Sequence, residues 1–320
     1  MWLRGGGGTE VYFVNHADHL FSFGRTASDC VLEVSAFGEA LGKARCPGLP
    51  SSFLGIPLLA DWGAINFYLP GKRDILTSGL FSKFQPKLGY SLPLILKEVL
   101  SGSSEVSLNV VGVRPLRDFW WWFLKFSYPR RVRLRGLLPF MQYKNILSSS
   151  SFVLDSYPVT GGTAFPEAIV NGKIAVGVDG PVVGYTPADK LRVMGAKGVL
   201  VLLNNASSYR ERLIEILDEM EVVHSVANVR GRYLLALSGS KSVNSLLPDF
   251  KGDPFFFEKC AVEIGVLNFP ASVRRREASE LIVELTLLLK FKRYLNFKSF
   301  LKMAYSFLQL CFVFLRGCRR

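Results

Sequence analysis

Asp155-Ser-Tyr-Pro-Val-Thr-Gly-Gly-Thr-Ala-Phe-Pro-Glu-Ala168 is the stretch of this 320-residue chain from which the fold is read. The apolar run Phe152–Leu154 leads into it, and Ile169-Val-Asn-Gly-Lys173 followed by Ile174-Ala-Val176 leads out. The pattern predicts strand, glycine turn, short helix, glycine stop and next strand. Gly161 and Gly162 would let the backbone come close to a ligand. The helix after them would aim free N–H groups and a partial positive charge at it. An anion, most often a phosphate, is the expected guest. Glu167, about one turn into the helix, is placed to accept hydrogen bonds from sugar or ribose hydroxyls. An ordinary β-α-β unit with a solvated Glu has the same pattern, so the stretch alone leaves both readings open.

Working outward, buried-type strands are expected at Val11–Val14, Cys30–Val34, Ile56–Leu59 and Ile65–Leu69, with a helix over Leu92–Leu100. From Val106 the rhythm is regular. Strands are read at 106–111, 132–137, 152–154, 174–178 and 199–203. Helices fall at 119–126, 140–147, 164–170 and 188–194, and an amphipathic one covers Tyr209–Met220. This alternation predicts an α/β protein with a parallel sheet covered on both faces. The expected division is a partial α/β lobe over 1–103, a Rossmann-like domain over 104–260 and a basic helical tail over 261–320. Ligands of such sheets sit outside the carboxyl ends of the strands. Asp155–Thr163 lies at one such end and Asn15–His19 at another, which suggests a cleft between two lobes.

The chain carries 39 Lys and Arg against 26 Asp and Glu. No acidic residue follows Glu284, while Lys290, Lys292, Arg293, Lys298, Lys302, Arg316, Arg319 and Arg320 do. A second basic cluster, Arg114–Arg135, surrounds Phe119-Trp-Trp-Trp-Phe123. Basic and aromatic residues together suit an anionic membrane surface or a nucleic acid. No nucleic-acid reader motif is present, and the cations of the tail alternate with long aliphatic side chains, so Leu281–Arg320 is read as a helix on anionic lipid, with a closing helix packed across the two lobes as the alternative. Its longest apolar run, Met303–Leu315, is shorter than the about 20 residues that span a bilayer. Five cysteines, Cys30, Cys46, Cys260, Cys311 and Cys318, form no CxxC pair, which fits a reducing cytoplasm without a zinc site or disulfide framework. Met1–Gly8 lacks the apolar core of a signal peptide.

The Asp-x-x-Pro-x-x-Gly-Gly-Thr run and Glu-Ala helix at 155–168 resemble the donor-binding signature of GT-B glycosyltransferases, above all bacterial and O-GlcNAc-transferase-like members. Val11-Tyr-Phe-Val-Asn-His-Ala-Asp-His19 is similar to an Asn-His-Ala-Asp-His motif in the first lobe of bacterial members. The likeness spans roughly residues 11–260. It implies that Gly161, Gly162 and Thr163 face the diphosphate of a nucleotide-sugar donor, with a UDP-sugar the first candidate, and that Glu167 holds the donor ribose. His16 and Asp18 would face the acceptor or the transferred sugar. His16, neutral near pH 7, would be the candidate base, with His19 second; Asp18 would orient a histidine or cap a helix. No cofactor or metal is implied beyond the donor substrate, because helix ends and cations stabilise the leaving phosphate.

Two departures are visible. Retaining members often carry a carboxylate eight residues before the donor Glu, where this chain has Val159, which leans towards inversion. The first lobe of the family has several strands ahead of the histidine motif, whereas this chain opens on that strand, so a shortened lobe is expected. The expected activity is metal-independent sugar transfer to a glycan, lipid-linked or protein acceptor. A nucleotide-sugar-binding protein without turnover and a nucleotide-sugar epimerase on the same fold remain the alternatives.

Overall fold

A computed structural model describes residues 10–16, 27–69, 71, 73–114, 118–238, 252–257 and 259–260. Asp18, His19 and the whole 261–320 tail lie outside the described residues, so the readings made for them are not addressed by the fold. The described residues fall in one compact unit ending at Cys260.

In chain order the elements are β1 (Tyr12–Asn15), β2 (Cys30–Glu33), α1 (Ala36–Arg45), β3 (Ser51–Phe53), β4 (Arg73–Ser78), α2 (Phe81–Phe84), α3 (Leu92–Gly102) and β5 (Val106–Val111). Next come α4 (Trp122–Ser127), β6 (Val132–Arg135), α5 (Phe140–Ser149), β7 (Phe152–Leu154), α6 (Ala164–Val170) and β8 (Ile174–Val176). Four helices follow: α7 (Gly195–Asn204), α8 (Ala206–Glu215), α9 (Leu217–His224) and α10 (Val226–Leu237).

Two parallel sheets result. The first is β1-β2-β3 and the second, five-stranded, has the order β6-β5-β4-β7-β8. The centre of the large sheet is β4, where Leu76 pairs with Asn109 on one side and Val153 on the other. Ile75, Leu76 and Thr77 are fully buried there. A strand buried on both faces is expected in a parallel sheet whose crossovers are helices.

Three expectations are corrected. The boundary at 103/104 cuts through the second sheet, because β4 and α3 precede it and both belong to that sheet's core. Val199–Leu203 is not a strand but the body of α7; Ala196, Val199, Leu202 and Leu203 are buried at helical spacing while Val201 is 52% exposed. Neither Ile56–Leu59 nor Ile65–Leu69 is a strand. The third strand of the first lobe is Ser51–Phe53, and Leu58 makes only an isolated bridge to Ser225.

After α9 the chain returns to the first lobe. Ser35 caps α1 through a 2.9 Å bond from the Gly38 N–H, and Ser225 caps α10 by accepting from Asn228 at 3.3 Å. From α10, Arg232 donates to the carbonyls of Leu54 (2.6 Å), Val222 (2.9 Å) and Val223, and its guanidinium lies over the Phe53 ring. Leu32, Leu54 and Ala236 close a small core beside it. His224, at the end of α9, is fully buried and bonds the Ile56 carbonyl through Nδ1 at 2.9 Å. A carbonyl only accepts, so Nδ1 carries the proton, and Nε2 is left buried without a partner.

Burial lowers the His224 pKa from 6.5 to about 4. The depressed value means that the neutral ring stabilises the fold fully above pH 6.5. That contribution, on the order of 3 kcal/mol, is lost as the pH falls from 6.5 through 4. We expect urea midpoints of the wild type to fall across this window and those of His224→Gln to fall less steeply; parallel pH profiles for the two proteins refute this assignment.

Candidate functional site

The Asp155–Thr163 turn leaves the end of β7 and is held by a buried ionic network. Asp155 Oδ1 accepts from the N–H of Ser156 (2.7 Å) and of Gly161 (2.8 Å), while Oδ2 accepts from Arg192 Nη2 (2.7 Å). Arg192 also donates from Nε to Asp189 Oδ1 at 2.6 Å and from Nη1 to the Val178 carbonyl at 3.1 Å, and it lies over the Phe165 ring. Asp189 Oδ2 in turn gathers the N–H groups of Gly184 (2.9 Å), Tyr185 (2.7 Å) and Thr186 (3.2 Å). The Arg192 side chain is only 3% exposed. Burial by itself would lower its pKa, but Asp189 and Asp155 overcome this and raise it. One guanidinium between two carboxylates leaves a net negative charge, which the five backbone N–H groups stabilise.

This network explains the two glycines in steric terms. Neither Gly161 nor Gly162 has positive φ. A Cβ on Gly161 would lie 2.8 Å from Asp155 Oδ1, and one on Gly162 would lie 2.7 Å from the Tyr185 ring. The turn is pressed between the carboxylate it bonds and the segment that Asp189 holds. Lys83 of α2 adds a third tie, donating to the Thr160 carbonyl at 3.0 Å.

Between the two sheets lies a cleft of about 600 Å³. One wall comes from the first lobe and α10: Val14, His16, Val34, Leu54, Gly55, Ile56, Pro57, Val226, Val229, Arg230 and Tyr233. The other is Lys83, Thr160, Gly162, Thr163 and Tyr185. The cleft therefore brings His16 together with Gly162 and Thr163, residues from two motifs nearly 150 positions apart in sequence. His16 directly follows β1 and is exposed.

Not every expected residue lines this cleft. Gly161 is buried and is not among the cleft-lining residues, and its N–H is given to Asp155, so it supports the turn. Glu167 is exposed and stands off the cleft wall, in the first turn of α6, with its N–H bonded to the Thr163 carbonyl at 2.9 Å. Partial burial of its carboxyl raises its pKa. On that side stands Tyr143, whose hydroxyl lies 3.2 Å from Ser78 Oγ at the end of β4. Burial raises the Tyr143 pKa, against the Ser78 hydrogen bond, and the Glu167 charge adds to the rise. Lys83, Arg230 and Tyr143 were not among the residues expected from sequence. Among the described residues no three His, Cys, Asp or Glu side chains gather as a metal site, and no helix is long and apolar enough to cross a membrane.

If Arg192 is what holds the turn, Arg192→Met will leave two buried carboxylates without their cation and cost about 3–5 kcal/mol. Chemical denaturation measures this; a loss below about 1 kcal/mol contradicts the assignment.

No family model matches the chain, and no curated protein does. Solved structures do share its fold. A structure of S. aureus TarM, crystallised as a G117R mutant with Fondaparinux, α-GlcNAc-glycerol and UDP, superposes with TM-score 0.55 at 12% identity, covering 71% of this chain and 50% of TarM. A second TarM structure gives 0.55 at 14% identity with the same coverage. A GtfA/B complex gives 0.50 at 12% identity over 72% of this chain and 52% of the other. The chain thus spans about half the length of the structures it matches. At such identities what is shared is the fold, and that fold is the GT-B architecture, with parallel sheets in two lobes around a cleft.

Proposed function

We propose that this protein transfers a sugar from a nucleotide-diphosphate donor to a hydroxyl of a glycan, lipid-linked or protein acceptor. The observation that supports it is the cleft that sets His16 of one lobe against Lys83, Gly162 and Thr163 of the other. Its volume falls in the range of small-molecule sites. A UDP-sugar is the donor to test first, because TarM, which shares the fold, was crystallised with UDP.

In this reading the diphosphate rests against the Gly162–Thr163 turn. Lys83 Nζ, half-buried and already fixed to the turn by the Thr160 carbonyl, supplies positive charge as the phosphate leaves. That cation does the work a metal does elsewhere, so we propose a metal-independent reaction with no cofactor besides the donor. Glu167 accepts from the ribose hydroxyls on the Tyr143 side of α6. His16 takes the proton of the acceptor hydroxyl as its oxygen bonds the anomeric carbon and the bond to the diphosphate breaks, the electron pair going to the phosphate. Asp18 is the proposed companion of His16, and Val159 in place of a carboxylate favours a single, inverting displacement. We place the protein in the cytoplasm, with the basic 261–320 segment at an anionic membrane surface.

The test is calorimetry with UDP and UDP-sugars, paired with a transfer assay. Wild type should bind UDP, and Lys83→Met and Glu167→Gln should each weaken it by about 10- to 100-fold, the worth of a charged hydrogen bond. His16→Ala should keep UDP affinity and lose transfer. Wild type and Glu167→Gln that bind no nucleoside diphosphate, or bind them equally, refute the reading. Binding without transfer in wild type identifies a donor-binding protein, and a rearranged sugar released without acceptor identifies an epimerase.

A further inference from the structure

The two walls of the cleft differ in chemistry. The wall on the side of the five-stranded sheet brings a cation, Lys83, and the Gly162–Thr163 turn, which suit a phosphate. The wall from the first lobe and α10 is mostly apolar, with Val14, Leu54, Ile56, Val226, Val229 and Tyr233 in it. Its polar side-chain groups are His16, Arg230 and the Tyr233 hydroxyl. Among the described residues no Asp, Glu, Asn or Gln lines the cleft on either side. Asn15 and Glu33, each next in sequence to a lining residue, are buried and bonded to one another, Nδ2 to Oε2 at 2.7 Å. An apolar lining is ordinary for a small-molecule pocket. A glycan, however, carries a hydroxyl on nearly every carbon, and each one buried on such a wall without a partner costs free energy.

The apolar surface continues beyond the cleft along α10. Val226, Arg230, Tyr233 and Leu237 follow at helical spacing and so share one face. Val226 is 42% exposed, Tyr233 40% and Leu237 46%. From Val226 to Leu237 this face runs about 16 Å, at 1.5 Å of rise per residue. Arg230, the cation of the face, is exposed and makes no hydrogen bond or ion pair to a described residue.

We propose that the acceptor is an amphiphile, a hydroxyl-bearing head group joined through a phosphate to a long acyl or prenyl chain. This rests on the transferase reading and selects one of its acceptor classes. The head-group hydroxyl meets His16 opposite the glycine turn, the phosphate pairs with Arg230, and the chain lies on the apolar residues of α10. The hydroxyl oxygen bonds the anomeric carbon, its proton passes to His16, and the nucleoside diphosphate leaves with the electron pair of the broken bond.

The test is calorimetry on the full chain without nucleotide, with every lipid kept below its micelle concentration. The probes are lysophosphatidylglycerol with chains of roughly eight and twelve carbons, farnesyl phosphate, and chain-free glycerophosphoglycerol. The acyl series should tighten about two- to fourfold per added methylene, leaving glycerophosphoglycerol at least ~10-fold weaker. Leu237→Asp should flatten the gain from chain length and leave UDP affinity unchanged. Arg230→Glu should weaken both lipids about 10-fold. Both side chains are exposed, so neither change removes core packing. The tighter of the acyl and prenyl probes identifies the chain. The proposal is overturned by no gain from the chain, or by a gain that both folded variants leave intact. It also fails if a free oligosaccharide accepts sugar as well as lysophosphatidylglycerol does, in which case the transferase reading stands. Lipid binding by a protein that binds no nucleoside diphosphate removes the acceptor role together with that reading.

Discussion

The geometry of the cleft on the side of the five-stranded sheet depends on one guanidinium. Arg192 stands between Asp155 and Asp189, and each carboxylate organises a loop of its own: Asp155 the glycine turn after β7, Asp189 the segment that carries Tyr185. With side chains almost wholly buried, none of the three charges has water to fall back on. Each is satisfied only while the other two are in place, so the loops are set as a unit. The position of Tyr185 against Gly162 follows, and with it the width of the cleft at the turn. A ligand bound there meets a surface whose shape was fixed before it arrived, the condition for electrostatic stabilisation without reorganisation.

The opposite wall is held by different means. The three-stranded sheet has a small core of its own, and α10 completes it with carbonyl bonds from Arg232 and with Ala236. Loops from both lobes also share a cluster in which Phe37 and Leu41 of α1 pack with Val159, Val182 and Tyr185. The Ala36 N–H bonds the Gly184 carbonyl at 2.8 Å, next to the residue whose N–H Asp189 holds. The first lobe is therefore tied to the same loop that braces the glycine turn. His16 and Thr163 owe their common cleft to this shared loop and not to any bond between them.

How much of this could be read from sequence depends on the range of the interaction. Local signals sufficed for β5, β7, α3 and α6, whose apolar spacing and glycine stops lie within a few residues. β4 was missed, although it is the centre of the sheet, because Arg73-Asp-Ile-Leu-Thr-Ser78 offers only a short apolar run beside two charges; its burial comes from strands distant in sequence. α7 was read as a strand because Val-Leu-Val-Leu-Leu has no polar break to show a period, and only packing on α3 selects the helix. At the site, Gly162, Thr163 and His16 were legible because motif spacing marks them. Arg192 was not, since nothing near it in sequence distinguishes an arginine bound to a carboxylate 37 residues away from one in solvent. Gly161 was legible as a required glycine, and the structure gives a steric reason that the sequence does not: it makes room for a carboxylate.

That bond to Asp155 bears on how the turn is to be understood. A loop that recognises phosphate through all its N–H groups would leave each of them free, yet here the N–H of Gly161 is already bonded to Asp155 and that of Phe165 to the Gly161 carbonyl at 3.1 Å. The groups left to meet an anion are those between them, at Gly162, Thr163 and Ala164. α6 is only seven residues long, so its dipole is a modest addition. Most of the positive charge at the turn must then come from side chains, and Lys83 is the one bound to it. The lysine lies on α2, just beyond the end of β4, so the central strand of the sheet is also the element that positions the cation against the glycine turn.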